Sequence, residues 1–438
     1  MLPQRAIPVL LVCSCLVIGC SSAPLATNLP SPTTLPTKLP TDIPQPTPTV
    51  TTTNHPELWQ TDLQLLESML PRRHTNTFFT VSEAEFREDI QQLRDSVHTK
   101  QDHEIIVGIM QIVARIGDGH TFVERPVHFR TYPFDIYWFN DGLHVIHTDK
   151  EHQQLQQSRL VQIGNTPIEE AYERVRTVIS HENEMWLKAQ STTALTTPEI
   201  LHALDIVPDL ERANFTFEDT AGQRFTVQLE PAIALREEST TASEESLPLY
   251  RQIRNDFYWY TYQEDTQTLY LQYNWCRDDP AQPFEQFAEE VLAFVDTHPI
   301  EHFVIDLRHN TGGNSYIIDP LIEGITERPA INQKDTLFVI IGRQTFSSGM
   351  LNALDFKTQT NALLIGEPTG GKPNAYGEVR HFSLLSQDNL HVNYSTKYFE
   401  MMDDDPPSVI PDITVEISSE DYFADRDPVM EAILACEE

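Results

Sequence analysis

Basic residues are scarce in this 438-residue chain: Lys and Arg total 30 against 65 Asp and Glu, a formal net charge of −35. Nucleic acids and anionic lipid surfaces are gripped by Lys/Arg patches, so nucleic-acid functions are set aside. Cysteine is scarcer still. Of the 5 present, Cys13, Cys15 and Cys20 lie near the N-terminus. Cys276 and Cys436 remain, too few for a disulfide framework and read either as buried thiols or as one bridge. Histidines are plentiful, yet none sits in a His-Glu-x-x-His pattern or a Cys/His cluster with ligand spacing. Walker and dinucleotide glycine patterns are missing as well, so neither a metal nor a cofactor is expected.

What is present begins with Arg5 and an apolar run from Ile7 to Ile18, closed by Gly19-Cys20. Such a run has the build of a secretory signal and is too short for a stable membrane span. The cysteine after Gly19 resembles a bacterial lipoprotein box. That resemblance implies a signal peptide over 1–19, a lipid on Cys20, export, and a membrane partner reached through the anchor. Residues 20–55 are Pro/Thr-rich and lack the apolar surface to fold. Extended at about 3.1 Å per residue, they would form a stalk of up to roughly 100 Å.

Residues 56–125 read as helices. Leu58, Leu65, Leu66 and Met69 suggest one apolar face, and Ser82 with Glu85 forms a capping box. A third helix after Asp102 carries Ile105, Ile106, Ile109, Met110, Val113 and Ile116 on a core face and leads into Gly117-Asp118-Gly119-His120-Thr121. From 126 to 235 short strands take over, with Asn140-Asp141-Gly142 and Asp219-Thr220-Ala221-Gly222 as hairpin turns. Leu160 to Ile168 followed by a helix looks like the second half of a PDZ module, without its carboxylate-binding loop, and a plain β-rich cap is the alternative reading. A Glu/Ser/Thr-rich connector spans 236–246. Beyond it, over 255–438, strands (Leu269–Tyr273, Phe303–Asp306, Leu337–Ile341, Ala362–Ile365) alternate with helices (Pro283–Val295, Tyr316–Ile325, Ser348–Lys357), the pattern of an α/β core with parallel pairing.

The chemistry concentrates between Thr336 and Lys372. Ser347 falls where a buried strand steps into a helix, an address that suits a nucleophile beside the helix dipole and equally suits an ordinary N-cap. Three further segments favour the nucleophile. Asp306 to Asn314 leaves a strand through Gly312-Gly313, whose amides, with that of Ser348, are candidates for an oxyanion hole. His120 sits on a tight turn, and Lys372 follows Gly370-Gly371 on a loop. Arg308 and Asn310 could fix the Asp306 to Asn314 loop, or merely cap and solvate it.

Together these segments resemble the tail-specific (C-terminal processing) serine peptidases and their relatives around the tricorn core protease, over roughly residues 57 to 417. The resemblance implies a crotonase-like, Clp-protease-like catalytic core with a β-rich, PDZ-like insert, and a peptide or protein substrate. It also implies Ser347 as nucleophile. Lys372, 25 residues on, would be the base in one branch of the family, and His120 the base in the other. Met350 and Tyr376 depart from the Ser-Lys pattern, which leaves the base open. They also leave room for a peptide-binding lipoprotein of the same fold with no turnover, and, because fold and nucleophile do not fix the substrate, a hydrolase of another ester or amide is a third reading. Asp403, Asp404 and Asp405 receive no role.

Overall fold

The computed structural model describes residues 56–232, 247–253, 255–386 and 390–436. Cys20, the signal and stalk segments and the connector at 236–246 lie outside them. Three helices open the described chain: α1 (Pro56–Arg73), α2 (Glu83–Ser96) and α3 (Asp102–Ala114). The Ser82/Glu85 capping box forms at the start of α2, with both reciprocal bonds made. All six expected core positions of α3 and the turn after it are buried. The expected face of α1 is rotated: Trp59, Leu63, Leu66 and Leu70 are buried, while Leu58 is exposed. Trp59 draws the helix round, because its indole is buried and donates to Asp102 across 2.8 Å.

The β-rich insert comprises β1 (Phe134–Phe139), β2 (Gly142–Thr148), β3 (Arg159–Ile163), β4 (Thr166–Pro167), helices α4 (Ile168–Arg176), α5 (Glu184–Ala194) and α6 (Pro198–Ala203), then β5 (Ala213–Glu218) and β6 (Arg224–Leu229). Its strands form one antiparallel sheet in the order β1-β2-β3-β5-β6, with β4 paired to β3. Both expected hairpins are present. The insert and the N-terminal helices share one hydrophobic core, which Phe134, Phe215 and Phe217 of the sheet join to Ile105, Ile109 and Val113 of α3.

The α/β core follows as β7 (Tyr258–Gln263), β8 (Thr268–Tyr273), α7 (Phe284–Val295), β9 (His302–Asp306), α8 (Asp319–Thr326), β10 (Leu337–Ile341), α9 (Ser348–Gln359), β11 (Leu363–Gly366), β12 (Ala375–Ser383), β13 (His391–Phe399), β14 (Ile413–Thr414), α10 (Ser419–Phe423) and α11 (Pro428–Leu434). Its sheet runs β14-β11-β10-β9-β8-β7, parallel throughout except for the β7–β8 edge hairpin. Every residue of β8 and β10 is buried, as strands covered on both faces must be. One face packs on α7, α8 and α9, and the other on α11. The expected helix at Tyr316–Ile325 starts later, at Asp319, behind a single 3-10 turn over Ser315–Ile318.

Arg343, just past β10, fastens insert to core. Its guanidinium is paired with Glu367, donates to the Trp138 carbonyl of β1 across 2.6 Å and lies over the Tyr137 ring. Cys276 and Cys436 are free thiols, so the bridge left open by the sequence is not formed.

Candidate active site

Ser347 ends the loop after β10 and precedes the first residue of α9. Its backbone is held at φ 52°, ψ −126°, a region that non-glycine residues enter at a cost of about 1–3 kcal/mol. It occupies the N-cap position, yet its side chain makes no capping hydrogen bond. The hydroxyl is therefore free for other work beside the positive end of a 12-residue helix. Gly312 makes the turn possible: a Cβ there would come within 2.8 Å of Ser347 Cβ and 2.9 Å of the Ser348 nitrogen.

The residue before Ser347 brings in the histidine. The Phe346 ring stacks on Trp186 at 3.9 Å on one side and on His120 at 4.5 Å on the other. Neither ring nitrogen of His120 makes a well-formed hydrogen bond among the described residues, although the Tyr376 backbone lies close. Burial pushes its pKa below the ordinary imidazole value, against the opposing pull of Asp118 and the Tyr376 backbone, so the ring is neutral at neutral pH. Nδ1 of His120 lies 3.9 Å from Asp118 Oδ1. Asp118 is in turn fixed by His74 Nε2 at 3.0 Å, Thr121 Oγ1 at 2.5 Å and the His120 amide at 2.9 Å. Burial works against its charge, but these bonds and the imidazole outweigh it and hold the carboxyl below the usual range.

Lys372 reaches the same place from the other side. Its Nζ donates to Asp405 across 2.8 Å, and the adjoining Gly371 packs on Met350 and on the Ser347 nitrogen. Asn183, in the insert, holds this loop: its Nδ2 donates to the carbonyls of Thr369, Gly370 and Pro407, while its Oδ1 caps α5 at Trp186. Next to it stands Glu182, whose carboxylate oxygens are shut off from solvent and make no well-formed hydrogen bond among the described residues, the Gly119 amide approaching them most nearly. Burial, with the neighbouring charge of Asp118, pushes its pKa up to about 8, the Gly119 amide and Lys372 opposing only in part. Glu182 is thus a protonated acid at neutral pH.

Ser347, His120, Glu182, Lys372, Gly313 and Tyr376 all line one cavity of about 500 Å³. The expected oxyanion donors need one correction. The Gly312 amide donates to Asn310 Oδ1 at 2.9 Å and is spent on the loop; its contribution is the missing Cβ. The amides of Gly313 and Ser348 are unused among the described residues. Arg308 and Asn310 are structural, not solvated. Arg308 is buried between Asp306 and Asp427, and Asn310 accepts from Gly312 and Cys276 while donating to the Tyr273 carbonyl.

Glu182, Asn183 and Trp186 escaped the sequence reading, since a loop acid, a helix-capping amide and a helical indole far from the serine carry no motif. Hairpin β12–β13 was missed too. It lies outside both large sheets and delivers Tyr376, Lys397 and Phe399 to the cavity wall.

Residues 268–415 match the model of peptidase family S41. No curated protein matches the sequence. Among solved structures, mature CPAF in complex with lactacystin is similar at TM-score 0.60 and 12% identity, covering 86% of this chain and 97% of the other. Mature CPAF alone gives TM-score 0.60, 13% identity and coverages of 86% and 96%. At these identities the likeness is one of fold. A photosystem II D1 C-terminal processing protease is also similar, at TM-score 0.38 and 11% identity, with 87% and 96% covered. The core over residues 268–415, which carries Ser347 and Lys372, is thus similar to peptidase family S41, the serine-type, tail-specific peptidases.

Proposed function

We propose that this serine peptidase cleaves peptide bonds through an acyl-enzyme on Ser347, with His120 as the general base. The observation that carries this is the company of Ser347. An uncapped hydroxyl on a strained turn shares a cavity with a neutral imidazole that makes no well-formed hydrogen bond and with two unused amides. Ser347 Oγ adds to the substrate carbonyl carbon while its proton passes to His120. The carbonyl oxygen, now negative, is received by the Gly313 and Ser348 amides, donors of a kind worth about 3–4 kcal/mol each. The imidazolium, steadied by the Asp118 carboxylate, then protonates the leaving amine. Water, activated by the same imidazole, splits the acyl-enzyme and releases the second product.

Lys372 supports this scheme as a charge on the cavity wall. Its Nζ donates to Asp405, a contact that supports a positioning role for Lys372 and leaves the part of the base to His120. The Gly19-Cys20 sequence supports an exported, lipid-anchored enzyme working at the cell envelope. Incubating the full chain with a mixture of peptides and reading the products by mass spectrometry tests the activity. Cleavage by the wild type and none by Ser347→Ala is expected; no cleavage by either would favour a binding protein.

A further inference from the structure

We propose that Asp118, His120 and Glu182 form a zinc site inside the peptidase cavity, through which Zn²⁺ reversibly blocks the enzyme. One ligand atom from each lies within 4.8 Å of the other two. Both oxygens of Glu182 and both ring nitrogens of His120 are buried without a well-formed hydrogen bond among the described residues, the Gly119 amide and the Tyr376 backbone being their nearest polar neighbours. An unsatisfied buried polar atom costs about 1–3 kcal/mol, so two such groups facing one point require an explanation. A cation supplies a partner to both at once.

The donor set selects the ion. One imidazole and two carboxylates, with a fourth position open to the cavity, match zinc held by three protein ligands. Mg²⁺ and Ca²⁺ call for six or more oxygens and have little use for a ring nitrogen. Around a tetrahedral zinc, donors at about 2.0–2.2 Å from the ion stand about 3.3 Å apart. The 3.9 Å between His120 Nδ1 and Asp118 Oδ1 therefore has to close by about 0.6 Å, and the pairs made with Glu182, which lie within 4.8 Å, by up to about 1.5 Å. Asp118 Oδ1 already accepts from the His120 amide and keeps a second lone pair for the metal. As zinc binds, the proton on Glu182 leaves to solvent.

The inhibitory consequence rests on the reading of His120 as base: an imidazole whose lone pair is held by a metal cannot take the Ser347 proton. Metal binding does not rest on it. Titrating the full-length Ser347→Ala chain with Zn²⁺ by calorimetry should give one site per chain, with no comparable binding of Mg²⁺. Glu182→Gln and His120→Asn, introduced into that chain, should each weaken zinc at least about tenfold. Because either variant could disturb folding, Co²⁺ on the unaltered site gives an independent readout: the visible bands of a tetrahedral nitrogen/oxygen site without a thiolate charge-transfer band. No stoichiometric zinc, affinity unchanged in both folded variants, or a thiolate spectrum would each overturn the site. In the wild type, zinc should stop peptide cleavage and a chelator restore it. Cleavage indifferent to zinc that is demonstrably bound would overturn the inhibition. Zinc bound by a chain that cleaves nothing would sink the peptidase and keep the metal site.

Discussion

Lys372 Nζ donates to Asp405 Oδ2 across 2.8 Å, at the cavity that holds Ser347. On the proposed mechanism, this pair leaves the Ser347 proton to His120. His120→Ala should lower kcat/KM for peptide hydrolysis by roughly 10²–10⁴-fold, the usual worth of a positioned general base. Lys372→Met should cost less than about tenfold, or about 1.4 kcal/mol of barrier. Steady-state kinetics on one cleaved peptide decide it, and the opposite ranking would hand the proton to Lys372.

Gly312→Ala should silence the enzyme without unfolding it. The residue sits at φ 111°, and its Cβ would press on Ser347 Cβ and the Ser348 nitrogen, where the oxyanion is received. A fall in kcat of roughly 10²-fold is expected, the scale of one lost oxyanion donor, with KM nearly unchanged. Full activity in the variant would show that the turn around Ser347 is not set by this glycine.

Arg308 is buried between two acids, with Asp427 accepting at 2.9 and 3.2 Å and Asp306 Oδ2 lying 2.8 Å from Nε. Asp427→Ala leaves the guanidinium short of a partner and also removes the cap of α11. Breaking a buried pair from one side costs about 3–5 kcal/mol. Urea unfolding should show a loss of that size, and a change below about 1 kcal/mol would mean the loop holds Arg308 by other means.

Stability should fall in mild acid through His103. Burial, with the repulsion of His202 next, lowers its pKa to about 4. Its Nε2 meets His202 Nδ1 at 2.9 Å. Unfolded, it titrates near 6.5, so between 6.5 and 4 the unfolded chain binds more protons and stability drops as pH falls. Discounted for solvent screening at a ring that is not fully enclosed, the shift is worth on the order of 1–2 kcal/mol, all of it present above pH 6.5. Comparing wild type with His103→Phe by thermal melts at pH 7 and 5 checks this, the wild type losing more on acidification.

The legible parts of the sequence are those where one physical signal dominates. Leu337–Ile341 is an unbroken apolar run between turn residues and is β10 residue for residue. The apolar stripe of α3 and the Ser82/Glu85 box came through for the same reason. Hairpin β12–β13 did not, because Glu378, Val379, Arg380 and His381 face solvent and no apolar alternation marks the strand. In the site, Ser347, His120 and Lys372 were visible through their turns and glycines, and the structure brings all three to one cavity. Glu182 was not, since its perturbation comes from tertiary burial against Gly119, where an added Cβ would stand 2.5 Å from its carboxylate. The spent amide of Gly312 was hidden likewise, its partner Asn310 being identifiable only once the loop is folded.

The central claim is that the Ser347 hydroxyl is an activated nucleophile, and a fluorophosphonate serine probe addresses it directly. The account predicts one adduct per chain on the peptide containing Ser347, absent in Ser347→Ala and strongly slowed in His120→Ala. A folded wild-type chain that takes up no probe, or takes it up at a different serine, would contradict it.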